Sequence, residues 1–341
     1  MEVMENGVIF QVDCGVLKGL KKCGKVKRVK IPHILSNGEK ITTIESCYCE
    51  GKFRSIEISD DISCIEAFAF SYVKVRKVRW SKGCKTIPKF CFSYCHIEEI
   101  SNIDCVEEIC VGAFSDSHLH TFSMPPLCTE IPTRCFEHSK LERITNIEHI
   151  KKIGSSAFLE CKMHSFVWPS GCKTIPFGCF DGNEIKHIFN IQDVENIDSR
   201  AFARSDITKI VWPSKCQTIP AECFHYSCLR RIENIEGVSC IECAAFANSD
   251  IENISWPQKC TEIPPRCFEY SELKSFQDFD NIICIGDRAF GKTHPESKFN
   301  MINSSIAFIG EGAFFGIDSG NVLFPYYVPK EQIAKAFVRG C

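Results

Sequence analysis

The stretch WPSGCKTIPFGCF (168–180) returns nearly unchanged as WPSKCQTIPAECF (212–224) and WPQKCTEIPPRCF (256–268). Such a recurrence makes internal repetition the first question, because a missed period misassigns every local element. The closing phenylalanine supplies the period. Phe70, Phe92, Phe114, Phe136, Phe158, Phe180, Phe202, Phe224, Phe246, Phe268 and Phe290 follow one another at 22 residues. Phe314 comes after 24, which places a two-residue insertion in GKTHPESKFN (291–300), and ITTIESCYCEGKFRSIEIS (41–59), around Tyr48, reads as an earlier unit with a one-residue slip.

Between phenylalanines the apolar residues also recur. After Phe202 they are Ile207, Ile210, Trp212, Cys216 and Ile219; after Phe224 they are Leu229, Ile232, Ile235, Val238 and Ile241. These runs are too brief for helices of about 10 to 12 residues and fit two short strands joined by corners. A unit this small buries its inward side chains only by stacking on its neighbour, which predicts a solenoid. The expected fold is an α/β repeat solenoid dominated by short β-strands, with about 13 coils of 22 residues.

The unit, as in IKKIGSSAFLECKMHSFVWP (150–169), with its recurring pairs Ala113-Phe114, Ala157-Phe158, Ala201-Phe202, Ala245-Phe246, Ala289-Phe290 and Ala313-Phe314, resembles the BspA-type leucine-rich repeat. The resemblance covers residues 41–314, or 26–314 with the strand VKRVKIP. It implies a right-handed leucine-rich-repeat solenoid, and a surface antigen or adhesin that binds host or cell-surface proteins. The coil here is about one residue shorter than the family's usual one, and cysteine is heavier than in its bacterial members.

The 24 cysteines follow the ruler. Cys84, Cys128, Cys172, Cys216 and Cys260 are 44 residues apart, as are Cys91, Cys135, Cys179, Cys223 and Cys267. Intervening coils hold Val or Ile in the first slot and Ala in the second, so cysteine stands in for a small buried hydrophobe. Same-slot cysteines two coils apart, roughly 9–10 Å by strand spacing, exceed the reach of a disulfide. Ten reduced core thiols are therefore expected. The CxxC of Cys240 and Cys243 lacks a second pair for zinc, and Cys240 shares a solvent-facing slot with Cys64 and Cys284.

Two coil types alternate. Ten residues beyond Phe, one carries Trp80, Met124, Trp168, Trp212 or Trp256, and the other Asn102, Asn146, Asn190, Asn234 or Asp278. The Trp row reads either as packing or as an aromatic binding stripe, with Met124 and Ile58 in the same slot favouring packing. Asn there suits a hydrogen bond to neighbouring backbone where the strand turns.

If positions five, eight and ten beyond Phe face inward, seven and nine face outward. On three successive coils position nine is Val167, Phe189 and Val211, with Arg143, His187, Lys209 and Arg231 at position seven around them. An apolar centre with a charged rim is how protein interfaces are built, and this is the expected partner site, against the plainer reading of residues that tile an exposed sheet. No cofactor is expected and the chain reads as no enzyme: GxGxxG, P-loop, HExxH and GxSxG are all missing, and the HxH of His118 and His120 lies in a corner segment.

The hydrophobic content of 44% supports a large core, and a formal charge of −3 over 341 residues argues against a nucleic-acid partner. No apolar run approaches the roughly 18–20 residues of a membrane span, so no membrane insertion is expected. MEVMENGVIF (1–10) lacks the basic start of a secretion signal. The family thus implies a cell-surface location, whereas the missing signal points to the cytoplasm and to an alternative role as an intracellular scaffold. The sequons at Asn253 and Asn303 matter only on an exported chain. Three segments are expected: residues 1–40 as N-terminal cap and lead-in strand, 41–314 as the repeats, and 315–341 as a C-terminal cap. In the last, Ile333, Ala336 and Phe337 form a short helix after Pro329 and before Gly340, and Cys341 is a terminal thiol.

Overall fold

The structure, a computed structural model, describes residues 1–277 and 279–338, with the side chains of Tyr48 and Gln277 left undescribed. The expectations for Asp278, Gly340 and Cys341 fall outside the described residues. The chain forms a β-solenoid of about 13 coils and divides by backbone contacts into two compact units, residues 1–163 and 164–341.

In the first unit, Glu2–Glu5, Val8–Asp13 and Val16–Lys22 form an antiparallel meander. The last of these strands pairs in parallel with Thr43–Glu50, which pairs with Cys64–Ile65. The meander covers what would otherwise be the open edge of the first coil. Beside it, Arg28–Ile31, Phe53–Ile58, Val75–Arg79 and Glu99–Ser101 make a parallel four-stranded sheet. In the second unit the last coil meets a helix, Lys330–Ala336, whose Lys335 and Ala336 carbonyls accept from Gly312 and Phe314 N–H.

Each coil carries two short strands and a third side made of turns, so helix is almost absent from the repeats. On the turn side the residues two before and two after each core Phe have positive φ: Glu222 (54°) and Tyr226 (57°) flank Phe224, and Arg266 (56°) and Tyr270 (58°) flank Phe268. The alternation turns successive N–H groups along the stacking direction. Glu222, Phe224 and Tyr226 N–H thus donate to Cys243, Ala245 and Ala247 of the next coil, at 3.1, 2.9 and 3.0 Å. Left-handed backbone costs an ordinary residue about 1–2 kcal/mol, so this cross-coil ladder compensates for local strain.

The core is the phenylalanine file. Rings stack within the first unit from Phe70 to Phe158 and within the second from Phe180 to Phe314, with adjacent centroids 5.5–6.0 Å apart and near-parallel planes. A row of buried hydroxyls three residues on closes the turns: Ser205, Ser227, Ser249 and Thr293 donate to the carbonyls of Phe202, Phe224, Phe246 and Phe290.

Trp80, Trp168, Trp212 and Trp256 are buried, and each indole N–H donates to the carbonyl of the cysteine four residues on. The tryptophan row is packing. The Asn row works between coils. Asn102, Asn146, Asn190 and Asn234, with φ of 57–64°, donate from Nδ2 to the carbonyl of Trp80, Met124, Trp168 and Trp212 at 2.6–2.8 Å. In the strand row of the second unit the coils are therefore tied in pairs. His187–Phe189 pairs with Ser165–Val167, Arg231–Glu233 with Lys209–Val211, and Ser275–Gln277 with Asn253–Ser255. Among the described residues no strand ladder joins one pair to the next in this row of the second unit.

Cysteine fits the same frame. Cys128, Cys216 and Cys260 are buried, and their thiols donate to the carbonyl of Val106, Val194 and Val238 one coil back at 3.4, 3.4 and 3.7 Å. Burial pushes the Cys128 and Cys216 thiols up to about 12 and the Cys84 and Cys260 thiols up to about 11. Cys240 and Cys243 are exposed.

Candidate functional site

In the second unit the strand row alternates as a half-buried sheet should. Phe166 and Ile210 point into the core at 3% exposure, while Val167, Phe189 and Val211 beside them are 58, 53 and 54% exposed. Val167 and Phe189 are register partners, so their side chains stand together on one face. The His187 ring lies against Phe189, with centroids 6.2 Å apart and planes at 29°.

The basic rim is less free than the sequence suggests. Lys209 Nζ is 3.0 Å from Glu233 Oε2, and Arg231 Nε is 2.9 Å from Glu233 Oε1. Glu233 is the diagonal neighbour of Lys209 across the Lys209–Arg231 register pair, and that diagonal is the signal that would have revealed it. It holds two cations at one edge of the apolar centre. Arg143 belongs to the first unit, exposed on the strand Arg143–Thr145 and paired in register with Thr121. The other six predicted residues all lie on the second unit.

The equivalent face of the first unit behaves differently. Arg76 bonds Glu98 at 2.7 Å, Lys77 bonds its register partner Glu99, and Arg79 grips Asp60 with both terminal nitrogens at 3.1 and 3.0 Å. The Arg79 guanidinium and the Lys82 backbone N–H hold the Asp60 carboxyl down at about 2. That face is covered by its own charges. On the Val167–Phe189–Val211 face the Glu233 clamp lies beside Val211, its register partner, and Val167 and Phe189 pair with each other.

The remaining candidates are placed as follows. His118 stacks on His96 at 4.4 Å, and His120 Nδ1 meets Glu142 at 2.9 Å. Among the described residues no cluster of three or more His, Cys, Asp or Glu side chains is arranged to hold a metal, and no helix is long and apolar enough to cross a membrane.

The architecture has solved relatives. A leucine-rich repeat protein from Bacteroides ovatus superposes with a TM-score of 0.66 at 17% identity, covering 98% of this chain and 94% of that one. A leucine rich cell surface protein from Faecalibacterium prausnitzii gives 0.56 at 16% identity, covering 100% and 98%. These likenesses concern the fold. No curated protein matches by sequence. The family model of the BspA type leucine rich repeat region, which holds six copies of the repeat, matches over four overlapping spans, residues 40–163, 108–230, 151–274 and 195–321. With the match spanning well over half of its length, this chain belongs to the BspA-type leucine-rich-repeat family.

Proposed function

We propose that this repeat protein is a non-catalytic protein-binding module whose ligand seats on the strand face of residues 164–341, and that it serves as a surface adhesin for host or other cell-surface proteins. The observation that carries the reading is the contrast between faces. Val167, Phe189 and Val211 are more than half exposed, the first two as register partners, with the ion pairs of Glu233 at one edge, whereas the strands Val75–Arg79 and Glu99–Ser101 of the first unit are laced with ion pairs. Apolar side chains left in water beside a charged rim are worth about 25 cal/mol per Å² once a partner covers them. On this unit His187 stands beside Phe189, and Lys209 and Arg231 share Glu233, so the partner would meet a mixed-charge edge.

The adhesive role is tested by antibody labelling of intact source cells beside a cytosolic control. Surface signal is expected; signal only after permeabilisation would overturn it. A second reading, an intracellular scaffold using the same face, draws support from the core thiols, which suit a reducing compartment. Permeabilisation-dependent signal would select it.

A further inference from the structure

On the turn side, the residue two beyond each core Phe has left-handed backbone. In the first unit this position is Tyr72 and then Tyr94, whose rings stack with centroids 4.9 Å apart and planes at 5°. That pair shows how rings at this position meet when adjacent coils both carry one. In the second unit the position reads Tyr226, Asn248, Tyr270, so the tyrosine file has a missing rung. The register is fixed by backbone bonds from Tyr226, Asn248 and Tyr270 N–H to the carbonyls of Ala247, Glu269 and Gly291, at 3.0, 2.8 and 2.8 Å. Two coil spacings put Tyr226 and Tyr270 about 10 Å apart, with the smaller Asn248 side chain on the rung between them and the Tyr226 ring against His225 at 4.4 Å.

The middle coil is cut away beneath the gap. Ala244 and Ala247 stand where the flanking coils carry Glu222 and Arg266, and His225 and Glu269. These residues line one open cavity of about 490 Å³, within the range of roughly 300–1,000 Å³ typical of small-ligand sites. Asn248 Nδ2 lies 3.4 Å from His225 Nε2. Burial holds the His225 imidazole below its ordinary value, which favours the neutral ring.

We propose that this slot binds a pyranose ring of a glycan, held between Tyr226 and Tyr270, with its hydroxyls bonded by Asn248, Glu222, Glu269 and Arg266. A pyranose has two C–H faces suited to two aromatic walls, and hydroxyls around its edge that need both donors and acceptors. The rim offers an amide, two carboxylates and a guanidinium; Glu222 also accepts from Arg200 Nη1 at 2.6 Å and Glu269 Oε2 lies 3.6 Å from Arg266 Nε, so the hydroxyls would share groups that already have partners. A purely apolar aromatic ring would fill the gap but make no use of these polar groups. The site lies on the turns, so it is independent of the strand face assigned to the protein ligand.

The test is a printed glycan array probed with the labelled full chain, followed by titration of the strongest glycan. The chains compared are wild type, Tyr226→Ala, Tyr270→Ala, Asn248→Tyr and Phe189→Ser. Wild type is expected to bind, and each of the three slot variants to weaken binding by about tenfold or more, with Phe189→Ser unchanged. Asn248→Tyr restores the missing rung and should fold, since Tyr226 and Tyr270 already adopt the same backbone. The proposal is overturned if no glycan binds, if Asn248→Tyr binds as wild type does, or if N-acetyltryptophan amide occupies the slot and glycans do not.

Discussion

Replacing Asn234 separates two things the side chain does. Its amide donates to Trp212 O at 2.7 Å, tying two coils into a pair, and its backbone sits at φ 62°. Asn234→Ala loses a hydrogen bond of about 1 kcal/mol and adds a left-handed cost of about 1–2 kcal/mol, for a total of roughly 2–3 kcal/mol. Asn234→Gly loses the same bond without the steric cost, adding roughly 0.5 kcal/mol or more of chain entropy, for a total near 1–2 kcal/mol. The Ala variant should therefore be the less stable by about 1 kcal/mol. Urea unfolding followed by tryptophan emission measures this, with an unchanged slope confirming that the folded state is intact. If Ala is as stable as Gly, the backbone part of the argument is wrong. If both match wild type, the Asn row does not link the coils.

The buried thiols make a second prediction. Folded Cys128 and Cys216 titrate near 12 against an ordinary value of 9.0, because burial favours the neutral thiol. Their stabilisation is full below pH 9 and lost as pH rises toward 12, so unfolding by urea should become easier across that window, and Cys216→Val should flatten the change. Iodoacetamide on the native chain should label exposed Cys14, Cys240 and Cys243 and spare Cys216 until urea is added, as peptide mass mapping will show. Asp181, with its side chain 5% exposed, accepts from Arg200 Nε at 3.1 Å and Arg204 Nε at 2.7 Å. Asp181→Ala should cost about 1–3 kcal/mol in the same unfolding assay, and a neutral result would show that the guanidiniums find water instead.

Much of the coil was legible because its inward positions obey one hard constraint. Phe224 must stack on Phe202 and Phe246, so the ruler in the sequence is the stack in the structure. The Trp and Asn rows were legible for the same reason, as Trp212 fills a core slot and Asn234 bonds the coil before it. The break between strand pairs was not read from that alternation, although it coincides with it. The turn side was hidden for a different reason. Local propensity gives no hint that Arg266, Glu222 and Tyr226 adopt left-handed backbone, because the cross-coil ladder imposes it. On the strand face, the outward direction of Phe189 followed from simple alternation. The clamp of Lys209 and Arg231 on Glu233 needed the cross-strand diagonal.

The exposed strand face of the second unit is the proposed seat of a protein partner. The direct measurement uses the purified full chain, wild type beside Phe189→Ser and Tyr226→Ala, to retain proteins from surface-biotinylated host cells, with the melting of each variant recorded. A surface protein should be retained by wild type, lost with Phe189→Ser and kept with Tyr226→Ala, at unchanged stability. The same protein retained equally by a folded Phe189→Ser chain would contradict it.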